Sequence, residues 1–334
     1  MSVLDTAVSS RVRLARNVRG VVFPMASGGV YTEELLEVMK NAELAAKGLF
    51  DYDFYFISSL SDKKKLSFIE RHFISPDLAE NSSTGGLVLS KDGTFSIMLN
   101  EEDHIRAQCI EPGFNLKKAY ERINRYDDRL LSSLPIAFDE KLGFLTACPT
   151  NVGTGMRASV MLFLPALKMT GIMDSTILKI AKYEGLTFRG IYGEGSAPIA
   201  DMYQLSNSRT LGLSEMEIIE YVERAALEII KLEDKARLAL KIETNYYLRD
   251  EICRSYGILK NAYMLSSADL YSLISKVKLG IILKVLPVHD LAELDKMVEM
   301  SGAATISGDK DLNEVERDIL RAALVRKILS KEHV

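Results

Sequence analysis

Residues 85–100, GGLVLSKDGTFSIMLN, set two apolar, strand-like runs on either side of Asp92-Gly93. An Asp-Gly pair supplies the left-handed backbone of a tight turn, so the stretch reads as a β-hairpin. A hairpin forces its two strands to run antiparallel. The runs SRVRLAR (10–16), FDYDFYFIS (50–58), HIRAQCIE (104–111), KLGFLTAC (141–148), RASVMLFL (157–164), LTFRGIY (186–192) and DMYQLSN (201–207) also read as strands. Many of them are joined by short turns rather than by crossover helices. The pattern favours an α+β fold, a mostly antiparallel sheet flanked by helices, over a βαβ winding.

Helical periodicity marks 32–48, with Thr32 as N-cap and Gly48 as stop, then 61–73, 115–134 and 165–184. ISPDL (74–78) reads as a turn. Ser214 and Glu217 have the spacing of a capping box, in which the serine caps the helix and the glutamate reaches back to the cap residue's N–H. A long amphipathic helix follows over 214–242. Beyond about residue 237 only helical periodicity remains. The chain therefore divides into residues 1–236, mixed sheet and helix, and residues 237–334, all helix.

Composition closes off several functions. With 47% hydrophobic and 26% charged residues, the chain is of soluble globular type. A net charge of −4 gives no basic field for direct nucleic-acid binding. Cys109, Cys148 and Cys253 show no CxxC spacing and the four histidines show no HExxH spacing. That disfavours a disulfide framework or a zinc site and suits a reducing compartment. No apolar run approaches the ~20 residues of a membrane span, and the first residues lack the pattern of a signal peptide. The expected location is the cytoplasm.

The chemistry-bearing residues sit at strand ends. Arg11 and Arg13 are two apart on one strand and share a face. Arg106 follows NEED, Arg157 follows the glycine-rich turn of CPTNVGTGMR, and Arg189 ends the strand before GIYGEG. Any one of these alone is an ordinary surface charge. Five at strand ends, if they converge, form a cup of guanidinium forks suited to a polyphosphate such as ATP. The glycine-rich turn is no P-loop, since the lysine followed by Ser/Thr is missing. Glu102 lies in a tight strand-to-strand connection and Glu194 between two glycines; each is a solvated turn acid or a ligand for a cation. Cys148 is a small buried hydrophobe or, among guanidiniums, a thiolate.

Taken in order, SSRVRLAR, NEEDHIR, CPTNVGTGMRASV and RGIYGEG resemble the guanidino (phosphagen) kinase family, over roughly residues 9 to 236. Within it the likeness is to the bacterial protein-arginine kinases. The helical domain that precedes the catalytic domain of the small-molecule kinases is not found before SSRVR, and a helical region follows instead. The resemblance implies transfer of the γ-phosphoryl of ATP, with Mg²⁺, to arginine side chains of proteins. It implies nucleotide-binding segments at Ser9, Ser10, Arg11, Val12 and Arg13; at Arg157, Ala158, Ser159, Val160 and Met161; and at Arg189, Gly190, Ile191, Tyr192, Gly193 and Glu194; with His72 and Arg106 beside them. Glu102 and Glu194 would grip the substrate guanidinium, Glu102 as base, with Cys148 next to it. No residue is assigned as a metal ligand.

RDILRA resembles the RDxxRA motif that binds phosphoarginine at a regulatory site of the protein-arginine kinases. It assigns Arg317, Asp318, Ile319, Leu320, Arg321 and Ala322 to that role; alone, the hexamer is a charged helix face with i,i+4 spacing. Implied partners are protein substrates with exposed arginines, the zinc-binding activator McsA, the stress repressor CtsR, a Clp ATPase and a second copy of the chain. One departure stands out. Ala197-Pro198 follow GEGS where the family continues with a second acid, which leaves substrate preference at that loop open. A kinase for free arginine, and a non-catalytic phosphoarginine adaptor, are the rival readings.

Overall fold

The computed structural model describes residues 3–24, 32–80, 83–173, 177, 185–190, 199–287 and 290–330. The strands are β1 (Ala7–Arg16), β2 (Tyr52–Phe56), β3 (Gly86–Ser90), β4 (Phe95–Leu99), β5 (Ile105–Pro112), β6 (Phe138–Asp139), β7 (Gly143–Phe144), β8 (Met156–Phe163), β9 (Leu186–Gly190) and β10 (Met202–Asn207). The helices are α1 (Glu33–Ala46), α2 (Asp62–Glu70), α3 (Pro76–Glu80), α4 (Leu116–Ser133), α5 (Pro165–Met169), α6 (Glu215–Ala239), α7 (Tyr246–Asn261), α8 (Ser267–Ile282), α9 (Leu291–Glu299), α10 (Ala303–Ser307) and α11 (Glu314–Leu329). By compactness the chain forms two units. One holds residues 9–160 and 206–224; the other holds 1–8, 161–205 and 225–334.

In the first unit the strand order is β2-β3-β4-β5-β1-β8. The ladders β2–β3, β3–β4, β4–β5 and β5–β1 are all antiparallel. The hairpin at Asp92-Gly93 is β3–β4, with Gly93 at φ +71°. Alternation decides what each face does. Val12, Leu14, Ile97, Leu99, Ala107 and Cys109 are at most 2% exposed and form one face. Helix α4 packs against β5, and α1 packs against α4. The Tyr126 hydroxyl donates to the Ala42 carbonyl at 3.1 Å and ties the two helices together. Each such buried side chain contributes roughly 1.5–3 kcal/mol. The opposite face is covered at its β3–β4 end by Ile57, Phe68, Phe73, Ile74 and Leu78, which pack on Leu87, Leu89 and Met98. Its β5–β1–β8 end carries the arginines.

In the second unit β10 neighbours β9, and helices α7, α8, α9 and α11 build one apolar cluster. That cluster includes Phe163, Ala200 and Met202, together with Leu248, Ile252, Ile274, Val325 and Leu329. The capping box of α6 is formed: Ser214 Oγ accepts from Glu217 N–H at 3.3 Å and Glu217 accepts from Ser214 N–H at 2.7 Å. Asn313 and Glu316 make a second one at the start of α11.

Three local expectations are corrected. ISPDL is not a turn: Ser75 Oγ accepts from Leu78 N–H and starts α3. KLGFLTAC is not a strand of the main sheet. Only Gly143–Phe144 pair, with Phe138–Asp139 and through a bridge to Gly153. The helix read over 165–184 is described as α5, five residues long; 174–176 and 178–184 lie outside the described residues.

Candidate active site

Antiparallel register brings the arginines together. Arg13 is opposite Gln108 and Ala15 is opposite Arg106, so Arg11, Arg13 and Arg106 point to the same face. Arg157 is half-buried like them, while its neighbours Ala158 and Val160 are buried at 0% exposure. The electrostatics confirm a cluster. The Arg11 guanidinium is lowered to about 10 by burial and then by Arg106 and Arg157. Arg13 is pushed well below the ordinary arginine value by burial, then by Arg11, Arg106 and Arg157. The Arg13 Nε is buried without a hydrogen-bond partner. Arg106 is held above its usual value: burial opposes its charge, but Glu101 outweighs that with an ion pair at 2.6 Å. Arg106 pairs with buried Glu101, with Glu102 and Asp103 also acting on it, and the mutual repulsion of Arg11, Arg13, Arg106 and Arg157 shows four guanidiniums held close together. Such a concentration of charge and donors suits a polyanion with several oxygens.

His72 sits at the edge of this face. Its backbone is left-handed, φ +58°, and its carbonyl accepts from Gln108 Nε2 at 2.5 Å. Burial, then Arg11 and Arg13, depress its pKa to about 4. The imidazole is therefore neutral near pH 7.

The NEED connection between β4 and β5 uses its three acids differently. Glu101 is buried, accepts from Ser75 Oγ and pairs with Arg106. Asp103 is buried and accepts from Asn17 Nδ2 at 2.6 Å and from Ala147 N–H at 2.7 Å. Glu102 is half-buried and has no hydrogen bond or ion pair among the described residues. Its pKa is raised, first by burial and then by Asp103, against the opposing pull of Arg106. A carboxylate that is unspent and more basic than usual has the attributes of a proton acceptor. The Asp103–Ala147 bond fixes the segment leading into Cys148, whose Sγ lies 3.0 Å from Thr150 Oγ1.

The glycine-rich turn does not cradle phosphate. Thr154 N–H donates to Thr210 O at 3.1 Å and Gly155 N–H to Asn151 O at 3.0 Å, so these amides serve the fold. The glycines permit close approach. A Cβ on Gly155, at φ +60°, would lie 2.7 Å from both Ala15 O and Arg16 Nη1.

Arg16, inside the SSRVRLAR motif, is a structural residue. It is 1% exposed and grips Asp127 through Nε at 2.9 Å and Nη2 at 2.6 Å. Its Nη1 donates to Ala15 O and Thr154 O, and its guanidinium lies over the Phe144 ring at 3.6 Å. Its parity was the available signal: it matches Val12 and Leu14, not Arg11 and Arg13. Glu101 had no such signal.

Other candidates are placed as follows. Val12, Ala158 and Val160 bury their side chains in the core. Ser10 Oγ bonds Gly113 O and Asn115 N–H, both at 2.8 Å. Ser9 is half-buried on β1, and Ser159 Oγ donates to Arg11 O at 3.4 Å. Met161 packs on the apolar cluster of the second unit. Arg189 is half-buried on β9 in that unit, and Gly190 ends the strand. Ile191, Tyr192, Gly193 and Glu194 lie outside the described residues, as do Ala197 and Pro198. In α11, Arg321 is 2% exposed and donates to Ser301 O at 3.1 Å, Leu265 O at 2.7 Å and the Asp318 carboxylate. Arg317 is half-buried and donates to Leu312 O at 2.9 Å. Ile319 is half-buried, Leu320 exposed and Ala322 buried.

Residues 34–236 match the family model "ATP:guanido phosphotransferase, C-terminal catalytic domain". Residues 245–333 match "Protein-arginine kinase McsB C-terminal domain". A protein-arginine kinase of Caldanaerobacter subterraneus subsp. tengcongensis is 41% identical, with 98% of each chain covered. The chain belongs to the ATP:guanido phosphotransferase family, in its protein-arginine kinase branch. A second member of that branch, from Clostridium acetobutylicum, is 39% identical over 97% of this chain and 96% of its own. Among solved structures, lombricine kinase matches with a TM-score of 0.60 at 27% identity, covering 70% of this chain and 67% of its own. The duplicated taurocyamine kinase of Schistosoma mansoni matches with a TM-score of 0.59 at 25% identity, covering 79% and 39%. The α+β fold with a helical C-terminal region is thus that of a guanidino kinase, and the chain is an ATP:guanidino phosphotransferase. No helix among the described residues is long and apolar enough to cross a membrane.

Proposed function

We propose that the chain transfers the γ-phosphoryl of ATP to the guanidinium of arginine side chains in proteins. The observation that carries this reading is Glu102, with a raised pKa and no hydrogen bond or ion pair among the described residues, beside a face of four guanidiniums. Arg11, Arg13, Arg106 and Arg157 hold the triphosphate, and Arg189 is assigned to the same ligand. Arginines can neutralise phosphate oxygens but cannot ligate a cation, so Mg²⁺ is read as arriving with the nucleotide as Mg-ATP.

Phosphoryl transfer of this kind has a loose transition state, and catalysis is mainly positioning and charge stabilisation. The acceptor is the harder partner, because a guanidinium is protonated and delocalised. Glu102 and Glu194 would orient it in line with the γ-phosphorus. As the N–P bond forms and the bond from phosphorus to the β–γ bridging oxygen breaks, Glu102 takes the guanidinium proton and ADP leaves. Cys148, whose loop is tied to the NEED connection by Asp103, lies on the guanidinium side.

Residues 1–236 are assigned to catalysis and residues 237–334 to self-association and phosphoarginine binding. In the latter, Arg317 is the more accessible guanidinium of RDILRA, and Arg321, paired with Asp318, anchors the helix. Protein substrates, McsA, CtsR, a Clp ATPase, a homodimer and a cytoplasmic role in the stress response belong to this reading.

The test incubates the protein with Mg-ATP and an arginine-rich unfolded protein, with free arginine as a rival acceptor. Mass spectrometry under non-acidic conditions then looks for phosphoarginine. Label on the protein and not on the free amino acid is the expected result. Label on free arginine alone would make the chain a small-molecule kinase.

A further inference from the structure

Glu102 has no side-chain partner among the described residues, so its place is set by its backbone. That backbone is a tight turn: Asn100 N–H donates to His104 O at 2.9 Å and Glu101 N–H to Asp103 O at 3.2 Å. Asn100 takes a left-handed backbone, φ +55°, to close it. The two residues after Glu102 are gripped by the segment that follows β1. Asn17 is 0% exposed and uses its whole amide. Its Oδ1 accepts from His104 N–H at 2.9 Å. Its Nδ2 donates to Asp103 Oδ1 at 2.6 Å and to the Leu145 carbonyl at 3.1 Å. The same Asp103 oxygen accepts from Ala147 N–H at 2.7 Å. His104, also 0% exposed, accepts from Val18 N–H at Nδ1, 3.1 Å away. Its proton is therefore on Nε2, which donates to Val22 O at 2.9 Å. Residues 17–22, 100–104 and 145–147 thus meet around one amide, and the last of these segments runs into Cys148. The site calls for asparagine, which carries two donors and an acceptor on one short planar group; aspartate lacks the donors and leucine lacks both.

We infer that Asn17 is a positioning residue for the acceptor half of the reaction: its amide holds the turn that presents Glu102 and the 145–147 segment leading into Cys148 as one piece. The inference rests on the role proposed for Glu102 above. A proton acceptor placed by its backbone keeps its carboxylate unspent for the substrate, and it needs a rigid turn to stay in line. The three side-chain bonds of Asn17 go to Asp103, His104 and Leu145, none of them an arginine of the face assigned to ATP. Loosening the amide should therefore act on kcat rather than on nucleotide binding. A merely structural amide would instead lower Tm and the yield of folded enzyme, and leave kcat measured well below Tm at the wild-type value.

The test uses the full chain and measures phosphoarginine formation on an unfolded arginine-rich protein well below the melting temperature, with KM for ATP and Tm recorded. The variants are Asn17→Ala, Asn17→Asp, the swapped pair Asn17→Asp/Asp103→Asn, and Glu102→Gln. Asn17→Ala is expected to lower kcat about 10–100-fold, the scale of a small misplacement of a reacting group. KM for ATP should stay within about twofold. Asn17→Asp keeps the shape, removes both donors and sets a second carboxylate against Asp103, so it should be at least as impaired. The swapped pair restores one amide-to-carboxylate contact and should regain about tenfold over Asn17→Asp. A wild-type kcat in Asn17→Ala, a loss of ATP affinity that matches the loss of kcat, or a swapped pair no better than Asn17→Asp would overturn the inference. Should Asn17→Ala yield no folded protein, the comparison of Asn17→Asp with the swapped pair decides by itself. Loss of activity in Glu102→Gln alongside an unaffected Asn17→Ala would leave the functional reading standing and remove only the inference. Near-normal activity in Glu102→Gln would remove both.

Discussion

At the scale of the residue, parity on a strand separates the arginines proposed to hold the nucleotide from a structural one. Arg11 and Arg13 share a face of the β1–β5 ladder with Gln108 and Arg106, and Arg16, of the other parity, is sealed against Asp127. The three acids of NEED are sorted by their partners: Glu101 and Asp103 are engaged, and Glu102, the proposed base, has no hydrogen bond or ion pair among the described residues. Glu102→Gln keeps the shape and removes the base. It should lower kcat by about 10²–10⁴-fold, with KM for ATP little changed. Because burial raises Glu102, the wild-type rate should fall with pH through a value above the ordinary carboxylate range, and that acid limb should vanish in the variant. A Glu102→Gln enzyme with a near-normal rate would remove Glu102 as base. His72 gives a stability test. Its folded pKa, about 4, is depressed from 6.5. Between those values the unfolded chain binds a proton that the folded one refuses. Stability from this group is therefore full above about pH 6.5 and lost as pH falls towards 4, at most on the order of 3 kcal/mol. Urea melts of wild type and His72→Gln should diverge across that window; parallel curves would show that another group titrates there.

At the scale of the element, the turn between β7 and β8 shows how close packing stands in for phosphate chemistry. Glycines let the turn lie against Ala15 and Arg16, and Arg16 holds it through the Thr154 carbonyl. Lysine cannot reproduce that five-donor fork. Arg16→Lys leaves the buried Asp127 poorly paired, at a cost of about 3–5 kcal/mol. A clear fall in Tm is expected, with weaker ATP binding because Arg157 is the second residue of β8. A variant that melts with wild type would show the network to be dispensable. Much at this scale was legible. The hairpin announced itself through Asp92-Gly93, α1 through Thr32, and α6 through Ser214 and Glu217, because turns and caps are local chemistry. The misread segments depend on distant partners. KLGFLTAC alternates like a strand, yet Leu145 and Ala147 give their backbone groups to Asn17 and Asp103. ISPDL becomes a helix because Ser75 caps it. The four arginines of the first unit were legible as a set because their motifs are; that Glu101 pairs with Arg106 was not, since three successive acids look alike in sequence.

At the scale of the whole molecule, sequence and compactness divide the chain at different places. The composition changes near residue 236, and the two family models meet between 236 and 245. The compact unit built on α7 to α11 nevertheless also takes in residues 1–8 and 161–205. Phe163, 0% exposed, lies under the Lys278 ammonium at 4.4 Å, and Lys278 in turn pairs with Asp295. Ala200 and Met202 pack in the same cluster, with Val8, Met161 and Ile199 against it. Removing residues 237–334 would strip the cover from all six of these apolar side chains and take away Ser275, whose hydroxyl donates to Asp201. Exposing a large buried apolar side chain costs roughly 1.5–3 kcal/mol, and a domain has only about 5–15 kcal/mol to lose. A fragment of residues 1–236 should therefore aggregate or bind a hydrophobic dye, lose its near-ultraviolet circular dichroism and transfer no phosphate, although it contains every assigned catalytic residue. A soluble 1–236 fragment with a cooperative melt and wild-type kcat would show that the helical region is an appendage. In the arrangement described here it supplies most of the apolar cluster in which Phe163, Ala200 and Met202 are buried.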